Sequence, residues 1–568
     1  MHGRVKVKTT AEQQEAKRKE REKKLKLYTS ATEKIFSKRK NKEYDEEALK
    51  ITGEILSMNS DFSTFWNYRK EIFLHFKDNK PEDEMHELFK GELQFLESCL
   101  RQNPKSYGVW NHRCFIMDTM AKPDWKQELH LCNLFLEYDE RNFHCWDYRR
   151  FVVKRAEIPP EEELEFTTSK ICNNFSNFSS WHYRSKLLPL IYPDEVTSVG
   201  VEESVLIKEY ETVQNAFFTD PDDQSAWFYH RWLLGRGKRK TGVGCMMVDR
   251  SEQVLMINTT QPVLISPSTC EIDVSVNGER VEGVWCTHKK QTECYSPLWI
   301  FKPKDSEPWI PSNEEVEVSV AAAGEDWGSS DSLELTPWET CHWIFSQEEQ
   351  GSRFRDELSA ATTDTLQREL ESVQELFEVE PENKWVLLTI VSLMKALDPL
   401  KYRDQIEEFI TKLKTIDPFR LNYYEDLRSR FTIENYIEQL DFGTRVMSLP
   451  NQNLTCIVHP ELFSLVVKVE LSNNRLESLK GFSCFQCAID IHVDGNQIKE
   501  LEELSFLPCL KQLSIKDNCI SSLDALKPLA HTPLLKLYLF GNPVEENLEH
   551  KEVKKMIRTL HNVDGHMY

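Results

Sequence analysis

The chain has 568 residues, of which 40% are hydrophobic and 11% aromatic, enough for several domains with buried cores. Its formal net charge of -22 argues against general nucleic-acid binding, which requires a surplus of Lys and Arg on the binding face. No apolar run approaches the ~20 residues that span a bilayer, and the first thirty residues lack the apolar region of a signal peptide. We therefore expect a cytoplasmic protein with reduced thiols that is not an integral membrane protein.

The amino-terminal segment, residues 1–44, is basic although the whole chain is acidic. Between Arg4 and Lys26 there are ten basic residues and four acidic ones. The segment is rich in good helix formers, and its apolar residues are too sparse for a strong stripe. We predict a basic helical arm that leads into the residues that follow.

Residues 45–241 carry a signature that is repeated five times. A tryptophan recurs at intervals of 44, 36, 35 and 46 residues, with an Asn or Asp seven residues before it and an Arg shortly after it. The tryptophans are Trp66, Trp110, Trp146, Trp181 and Trp227, and the arginines are Arg69, Arg113, Arg149, Arg184 and Arg231. Each repeat is predicted to be a helical hairpin of a solenoid, with the Trp in the first turns of the second helix. We expect the tryptophans in the core and the arginines as partners of carboxylates or helix ends.

The helical period disappears over residues 242–349, where apolar and polar residues alternate in short runs. Residues 272–276 form one such run, and Asn277-Gly278, a pair typical of hairpin turns, follows it. About seven such runs in roughly a hundred residues fit an inserted, immunoglobulin-like β-sandwich. No catalytic pattern lies within it.

A helical pattern returns over residues 350–441 in two degenerate copies of the repeat, marked by Trp385 and Tyr424. When the 108 residues of the insertion are removed, the interval from Trp227 to Trp385 falls from 158 to 50, close to the other intervals. We therefore predict one helical layer from about residue 45 to residue 441, interrupted by the sandwich at a repeat boundary.

Residues 442–568 contain a second, shorter repeat. Its asparagines, Asn474, Asn496, Asn518 and Asn542, are 22, 22 and 24 residues apart, and each follows a pair of apolar residues in a Leu-x-Leu pattern. This pattern predicts leucine-rich repeats with a carboxyl-terminal cap, in which the Asn side chain satisfies backbone groups. Stacked strands of this kind often bind proteins, although a fold alone does not prove binding.

The sequence contains none of the common self-contained catalytic patterns. There is no His-Glu-x-x-His, no phosphate-binding loop and no glycine-rich turn between a strand and a helix. The Cys-x-x-Cys of Cys484 and Cys487 has no second pair at zinc spacing, so we interpret it as structural. Any catalytic role would therefore require residues from elsewhere.

The helical repeats resemble those of the α subunits of protein prenyltransferases, over about 45–240 and 350–441. With the insertion and the leucine-rich repeats, the chain is similar to the α subunits of Rab geranylgeranyltransferases over nearly its whole length. The resemblance implies a crescent of paired helices around a separate β subunit, which holds the catalytic zinc and the geranylgeranyl diphosphate pocket. The complex would transfer geranylgeranyl groups to carboxyl-terminal cysteines of Rab GTPases that a Rab escort protein presents.

The resemblance also implies site residues. In this family a Lys five residues and a Tyr three residues before a repeat Trp reach the rim of the active site, and Lys105 and Tyr107 match both positions. Lys105 is the first candidate for contact with the diphosphate, and Tyr107 is expected to pack more than to contact substrate. Arg141 is a secondary candidate, because its repeat departs from the Lys and Tyr pattern. His2, on the arm, is a candidate ligand of the partner's zinc.

Two alternatives remain open at this stage. One is a noncatalytic helical scaffold of the tetratricopeptide kind, which the intervals of 35 to 46 residues and the Trp-x-x-Arg signature disfavour. The other is a leucine-rich adaptor in which the helices merely separate two binding modules. The preference for geranylgeranyl over farnesyl rests wholly on the resemblance.

Overall fold

The computed structural model describes residues 11–194, 200–235, 241–265, 271–289, 294–304, 308–323, 327–328, 330–337, 339–345, 354–355, 358, 362–441, 443–544 and 550–567. The chain divides into two compact units, Met1–Pro193 and Asp194–Tyr568. Within the described residues, no helix is both long enough and apolar enough to cross a membrane.

The first unit consists of α-helices. They are α1 (Ala11–Lys40), α2 (Glu46–Met58), α3 (Ser63–Asn79), α4 (Glu82–Gln102), α5 (Tyr107–Thr119), α6 (Trp125–Tyr138), α7 (Phe143–Ala156), α8 (Pro160–Asn173) and α9 (Phe178–Ile191). From α2 onward they form successive hairpins, and their apolar faces share one hydrophobic cluster. Among the side chains that the structure describes, α1 contributes Tyr28, Ala31 and Ile35 to this cluster, all from its carboxyl-terminal half.

The repeated tryptophans have the same position in every hairpin that the signature marks. Each is the fourth residue of the second helix, is at most 5% exposed, and donates its indole N–H to the carbonyl oxygen six residues earlier at 2.7 or 2.8 Å. That carbonyl directly follows the Asn or Asp that ends the preceding helix. This bond explains the fixed separation of seven residues in the sequence.

The second unit begins with the same kind of hairpin and resumes it after a long interruption. Its helices are α10 (Glu203–Thr219), α11 (Gln224–Leu234), α12 (Thr363–Val379), α13 (Lys384–Leu397), α14 (Arg403–Ile416), α15 (Leu421–Glu438) and the short α16 (His550–Met556). The fourth residue of α13 is Leu387, which is fully buried, whereas Trp385 is partly exposed. Leu387 therefore holds the tryptophan position that the sequence assigned to Trp385, while Tyr424 holds it in α15 as predicted.

The interruption consists of two antiparallel sheets. Their strands are β1 (Thr241–Asp249), β2 (Val254–Val263), β3 (Glu271–Val276), β4 (Glu279–Val281), β5 (Gly283–Thr287), β6 (Ser296–Pro303), β7 (Val316–Ala323), β8 (Trp327–Gly328), β9 (Ser330–Leu335) and β10 (Cys341–Phe345). One sheet has the order β10-β1-β2-β6-β5, with β8 parallel to β1, and the other has the order β4-β3-β7-β9. Side chains from both sheets share a core that includes Trp299 and Val318. Asn277 and Gly278 have positive φ angles of 48° and 82° in the turn between β3 and β4.

The carboxyl-terminal part is a sheet of stacked short strands. They are β11 (Val446–Ser448), β12 (Lys468–Glu470), β13 (Asp490–His492), β14 (Gln512–Ser514), β15 (Lys536–Tyr538), β16 (Asn562–Val563) and β17 (His566–Met567), parallel as far as β16. Short 3-10 helices, Pro460–Phe463, Phe482–Cys484, Glu502–Phe506 and Leu523–His531, lie between strands. The amide of Asn474 donates to the carbonyls of Leu449 and Leu471 at 2.9 and 2.8 Å, and the other three repeat asparagines make equivalent bonds.

The inserted sheets pack directly against the carboxyl-terminal repeats. Met247 of β1 and Leu298 of β6 belong to the same hydrophobic cluster as the leucines of the repeats. Arg445 pairs with the fully buried carboxylate of Asp249, and the ammonium of Lys289 lies 2.9 Å from a carboxylate oxygen of Glu503. The insertion and the repeats therefore form one packed body within the second unit.

Candidate functional site

The turn that enters α5 holds Lys105 in place by short-range contacts. The side chain of Asn103, which ends α4, accepts the N–H of Lys105 at 3.4 Å, and the hydroxyl of Ser106 donates to the carbonyl of Ser60 at 3.0 Å. A Cβ on Gly108 would lie 2.5 Å from the indole of Trp66, so only glycine allows α5 to approach the preceding hairpin this closely. The backbone of the turn is therefore fixed, while the Lys105 side chain is 65% exposed.

The next turn carries the same geometry and meets Lys105. Asp139, which ends α6, accepts the N–H of Arg141 at 3.1 Å through one carboxylate oxygen. Its other oxygen lies 3.4 Å from the ammonium of Lys105. Lys105 and Arg141, both candidates from the sequence, are thus linked through one carboxylate, and Arg141 is exposed.

Exposed aromatic rings line the edge formed by the starts of the second helices. Tyr107, the first residue of α5, is 71% exposed, and its ring stands edge-on to His144 with the centroids 4.3 Å apart. Phe143 is 50% exposed and lies 6.2 Å from Tyr107. Burial lowers the pKa of His144, and the charge of Lys105 lowers it as well, against the opposing effect of Asp147. The edge therefore combines exposed cations with exposed apolar rings.

The chemistry available at this edge is electrostatic. Lys105, Arg141 and the amino terminus of α5 favour an anion. The set contains no nucleophile paired with a general base. The described residues also contain no group of three or more His, Cys, Asp or Glu side chains that could hold a metal ion. His2, the candidate zinc ligand, lies outside the described residues.

The repeated arginines reach buried carboxylates in the first three repeats. Arg69, Arg113 and Arg149 make two-pronged bonds to Glu92, Glu128 and Glu163. Arg184 is also buried, and it donates to the hydroxyl of Thr168 at 2.8 Å. Arg231, by contrast, is exposed, and the residue before it, His230, takes the buried position and bonds Glu369 at 2.8 Å.

The buried glutamates are structural residues that the sequence analysis missed. Glu92, Glu128, Glu163, Glu209 and Glu369 each lie 18 residues before the residue in the tryptophan position of their own hairpin. Three of them also bond the side chain two residues after the tryptophan of their own hairpin: Glu92 bonds His112 at 3.0 Å, Glu128 accepts from Tyr148 at 2.6 Å, and Glu209 accepts from Tyr229 at 2.6 Å. The constant spacing of 18 was the available signal.

Glu92 is ionised despite its burial. Burial opposes ionisation, but Arg69 and His112 lower the pKa of the Glu92 carboxyl to about 2. Because the carboxylate joins an arginine of one hairpin to a ring of the next, it fixes successive hairpins relative to each other and thereby the turns that carry Lys105 and Arg141.

Comparison with known proteins agrees with this repeat. A model described as protein prenyltransferase alpha subunit repeat matches residues 89–120, 125–156, 160–191 and 206–237. These ranges coincide with the hairpins α4–α5, α6–α7, α8–α9 and α10–α11.

Among curated proteins, the geranylgeranyl transferase type-2 subunit alpha of Sus scrofa is 46% identical over 494 residues, which cover 84% of this chain and 84% of the relative. The chain belongs to the geranylgeranyl transferase type-2 subunit alpha family. The family member from Homo sapiens is also 46% identical, with the same coverage of both chains. The predicted membership and the predicted helical-repeat fold with β-sheets are confirmed.

The family includes a much shorter chain, and a distant solved structure is also similar to this chain. The relative from Saccharomyces cerevisiae is 35% identical over 294 residues, which cover 85% of its length but 50% of this chain. A solved Candida albicans protein geranylgeranyltransferase-I complexed with GGPP covers 72% of this chain and 91% of its own at 15% identity, with a TM-score of 0.41. The chain belongs to a family of transferase subunits. The family name, subunit alpha, implies a β subunit as its partner.

Proposed function

We propose that this chain is the α subunit of a heterodimer that transfers geranylgeranyl from geranylgeranyl diphosphate to carboxyl-terminal cysteines of Rab GTPases presented by a Rab escort protein, in the cytoplasm. Family membership supports the transferase assignment. The observation that carries the site is the turn at Lys105, where a hydrogen-bonded backbone presents a cation that is 65% exposed. Such a site completes the active centre of a partner.

The role of Lys105 would be to stabilise negative charge. A departing diphosphate gains charge as the bond to the isoprenoid breaks, so a positioned ammonium lowers the energy of the transition state. Lys105 exchanges its 3.4 Å contact with Asp139 for a phosphate oxygen in this proposal, and Arg141 adds charge from the neighbouring turn. Tyr107 and Phe143 would pack against the partner or the isoprenoid.

The described residues of this chain contain no group of three or more His, Cys, Asp or Glu side chains that could hold zinc. From the family resemblance, we propose that the zinc and the geranylgeranyl diphosphate pocket lie on the β subunit. When bound there, zinc would lower the pKa of the substrate's cysteine thiol.

We also propose that residues 242–349 are an immunoglobulin-like sandwich and that residues 442–568 are leucine-rich repeats with a cap, on either side of the helical residues 350–441. Two antiparallel sheets around one core support the first assignment. Parallel strands at steps of 22 to 24 residues and the asparagine bonds support the second.

The alternative of a scaffold or adaptor without a link to transfer has less support. The yeast geranylgeranyl transferase type-2 subunit alpha aligns over 85% of its length with only half of this chain. A family member can therefore lack counterparts of much of the remainder, which favours a transferase subunit with added modules over an adaptor.

The decisive experiment measures transfer of labelled geranylgeranyl to a Rab protein with escort protein, using this chain alone, a candidate β subunit alone and the two co-expressed. Activity only in the co-expressed sample supports the proposal. If the chains associate but Lys105→Ala transfers at the normal rate, the diphosphate role is wrong. Lys126→Ala, an exposed lysine on α6, is the matched control and should leave the rate unchanged. If the two chains do not associate, the hypothesis of a noncatalytic scaffold replaces that of a heterodimer.

A further inference from the structure

The sheet of the carboxyl-terminal repeats has one open face. Along β12 to β15 the apolar side chains, such as Val469 and Leu471, point into the core. The alternating side chains point the other way, and together they form what we call the strand face. The inserted sheets pack on the opposite side, where Lys289 contacts Glu503 and the ring of Phe506 in a 3-10 helix. The insertion therefore leaves the strand face available.

One half of the strand face combines aromatic rings with a lysine. The ammonium of Lys516, which follows β14, lies 5.1 Å from the ring centroids of both Tyr538 and Phe540. Phe540 is 45% exposed although it is a large apolar residue. The carboxylate of Asp494 lies 3.9 Å from the ammonium, but it is already bonded to the hydroxyl of Ser514 and the N–H of Lys516. The lysine thus retains capacity for a second anionic partner.

The charge of this half differs from that of the rest of the molecule. The strand-face positions of β14 and β15 and of the residues that continue them are 512, 514, 516, 536, 538 and 540. They include Lys516 and Lys536 and no Asp or Glu, in a chain with a formal net charge of -22. On the neighbouring strands β12 and β13, the same face carries Lys468 and His492 beside the carboxylates of Glu470, Asp490 and Asp494, so carboxylates predominate there. The basic area is therefore narrow and bordered by carboxylates.

We propose that this half of the strand face, formed by Lys516, Lys536, Tyr538 and Phe540, binds a short acidic peptide segment of a partner protein. An Asp or Glu of the segment pairs with Lys516 at its open side. An adjacent apolar or aromatic side chain packs on Phe540 and Tyr538, which are rigid and need little ordering to bind. The ion pair with Lys516 and the packing on Phe540 and Tyr538 are both shielded from water. Together they give specificity for acidic residues that have apolar neighbours.

Other anionic ligands fit this surface less well. A nucleic acid or an anionic membrane presents charge over a wide area, and it would meet the carboxylates of Glu470, Asp490 and Asp494 beside the lysines. A segment of a few residues spans only two strands, which are ~4.8 Å apart, so it stays clear of Glu470 and Asp490. It meets only Asp494, whose carboxylate already accepts from the hydroxyl of Ser514 and the N–H of Lys516.

The test uses the full co-expressed heterodimer and fluorescein-labelled octapeptides in a fluorescence anisotropy titration. There are three peptides, which consist of four Glu-Phe pairs, four Lys-Phe pairs and four Glu-Ser pairs. A single-stranded oligouridylate represents the competing class of ligand. We expect saturable binding of the Glu-Phe peptide, weakened about tenfold by Lys516→Glu and about fivefold by Phe540→Ser. Raising the salt from about 50 to about 500 mM should weaken it several-fold.

Lys480→Glu makes the same charge change at an exposed position just before a different 3-10 helix, and it should leave the affinity within about twofold. Unchanged thermal unfolding of the variants excludes a folding defect as the cause. No saturable binding of the Glu-Phe peptide below about 1 mM overturns the proposal. The proposal is also overturned if the Lys-Phe peptide binds as well as the Glu-Phe peptide or if the oligouridylate binds more tightly than it. It is overturned, too, if Lys480→Glu weakens binding as much as Lys516→Glu.

Discussion

The ammonium of Lys105 lies 3.4 Å from the carboxylate of Asp139, the residue that ends the first helix of the following hairpin. Asp139→Asn should keep the turn, because the amide oxygen still accepts the N–H of Arg141, while it removes the competing charge. We expect the KM for geranylgeranyl diphosphate to fall about two- to fivefold in the heterodimer, consistent with a gain of under ~1 kcal/mol for an exposed pair. Steady-state kinetics at low salt measure this KM in the variant and in the original heterodimer. An unchanged or higher KM in the correctly folded variant contradicts the proposed contact.

The pair of Arg113 and Glu128 should dominate local stability. Glu128 accepts two bonds from Arg113, at 2.7 and 2.6 Å, and one from Tyr148 at 2.6 Å, and all three residues are buried. Glu128→Gln leaves the guanidinium without its counterion, so we expect a loss of ~3 kcal/mol. Thermal unfolding of the variant, compared with Glu137→Gln on the exposed side of the same helix, measures the loss. Similar midpoints for the two variants would argue that the ion pair contributes little.

Gly108 should tolerate no side chain. A Cβ there would lie 2.5 Å from the ring of Trp66 and 3.1 Å from the carbonyl of Ser60. Gly108→Ala must therefore move α5 away from the preceding hairpin, at a cost of ~1–3 kcal/mol, and should reduce transfer because Lys105 moves with it. Gly91→Ala is the control, since nothing lies within 4 Å of its Cβ and alanine favours the helix by ~1 kcal/mol. Equal unfolding midpoints for the two variants would rule out the close approach.

His459 should give the second unit a stability that depends on pH. Burial opposes protonation, but the carboxylates of Glu434 and Glu461, 3.4 and 3.7 Å away, raise the pKa of the His459 imidazole above its usual value. Its contribution is therefore complete below the unfolded pKa of ~6.5 and is lost as the pH rises through the raised, folded value. His459→Gln should lower the unfolding midpoint more at about pH 5.5 than at about pH 8.

His288 supplies a control of opposite sign. Burial lowers the pKa of His288 to about 4, so the folded state resists its protonation and loses stability as the pH falls below ~6.5. His288→Gln should therefore become relatively favourable at the lower pH. If both variants shift the midpoint in the same direction with pH, electrostatic coupling at His459 is not the cause.

The positions that depend on neighbouring residues could be predicted from the sequence. The Asn or Asp, the Trp and the helix between them are linked by local bonds, so their spacing is visible in the chain. The turn from Asn277 to Gly278 and the asparagines of the short repeats are local in the same sense. Lys105 and Arg141 were placed by a resemblance, and the structure adds only that Asp139 joins them.

The misassigned positions have a shared cause. Trp385 and Arg231 were chosen for the identity of the residue, although Leu387 and His230 stand at the correct distance from the preceding helix end. A core position accepts leucine in place of tryptophan, and a buried carboxylate accepts histidine in place of arginine. The packing of Met247 and Asp249 against the short repeats could not be predicted, because periodicity carries no information on contacts nearly 200 residues apart in the chain.

The first and last strands of the insertion are paired, with Cys245 opposite Phe345. The insertion therefore leaves and re-enters the helical layer at nearly one place, and the bond between His230 and Glu369 joins α11 to α12 across the gap. The insertion can therefore be removed without interrupting the helical layer. A short linker could replace it, provided that the apolar surface around Leu462 and Phe463, which β1 covers, is made polar at the same time.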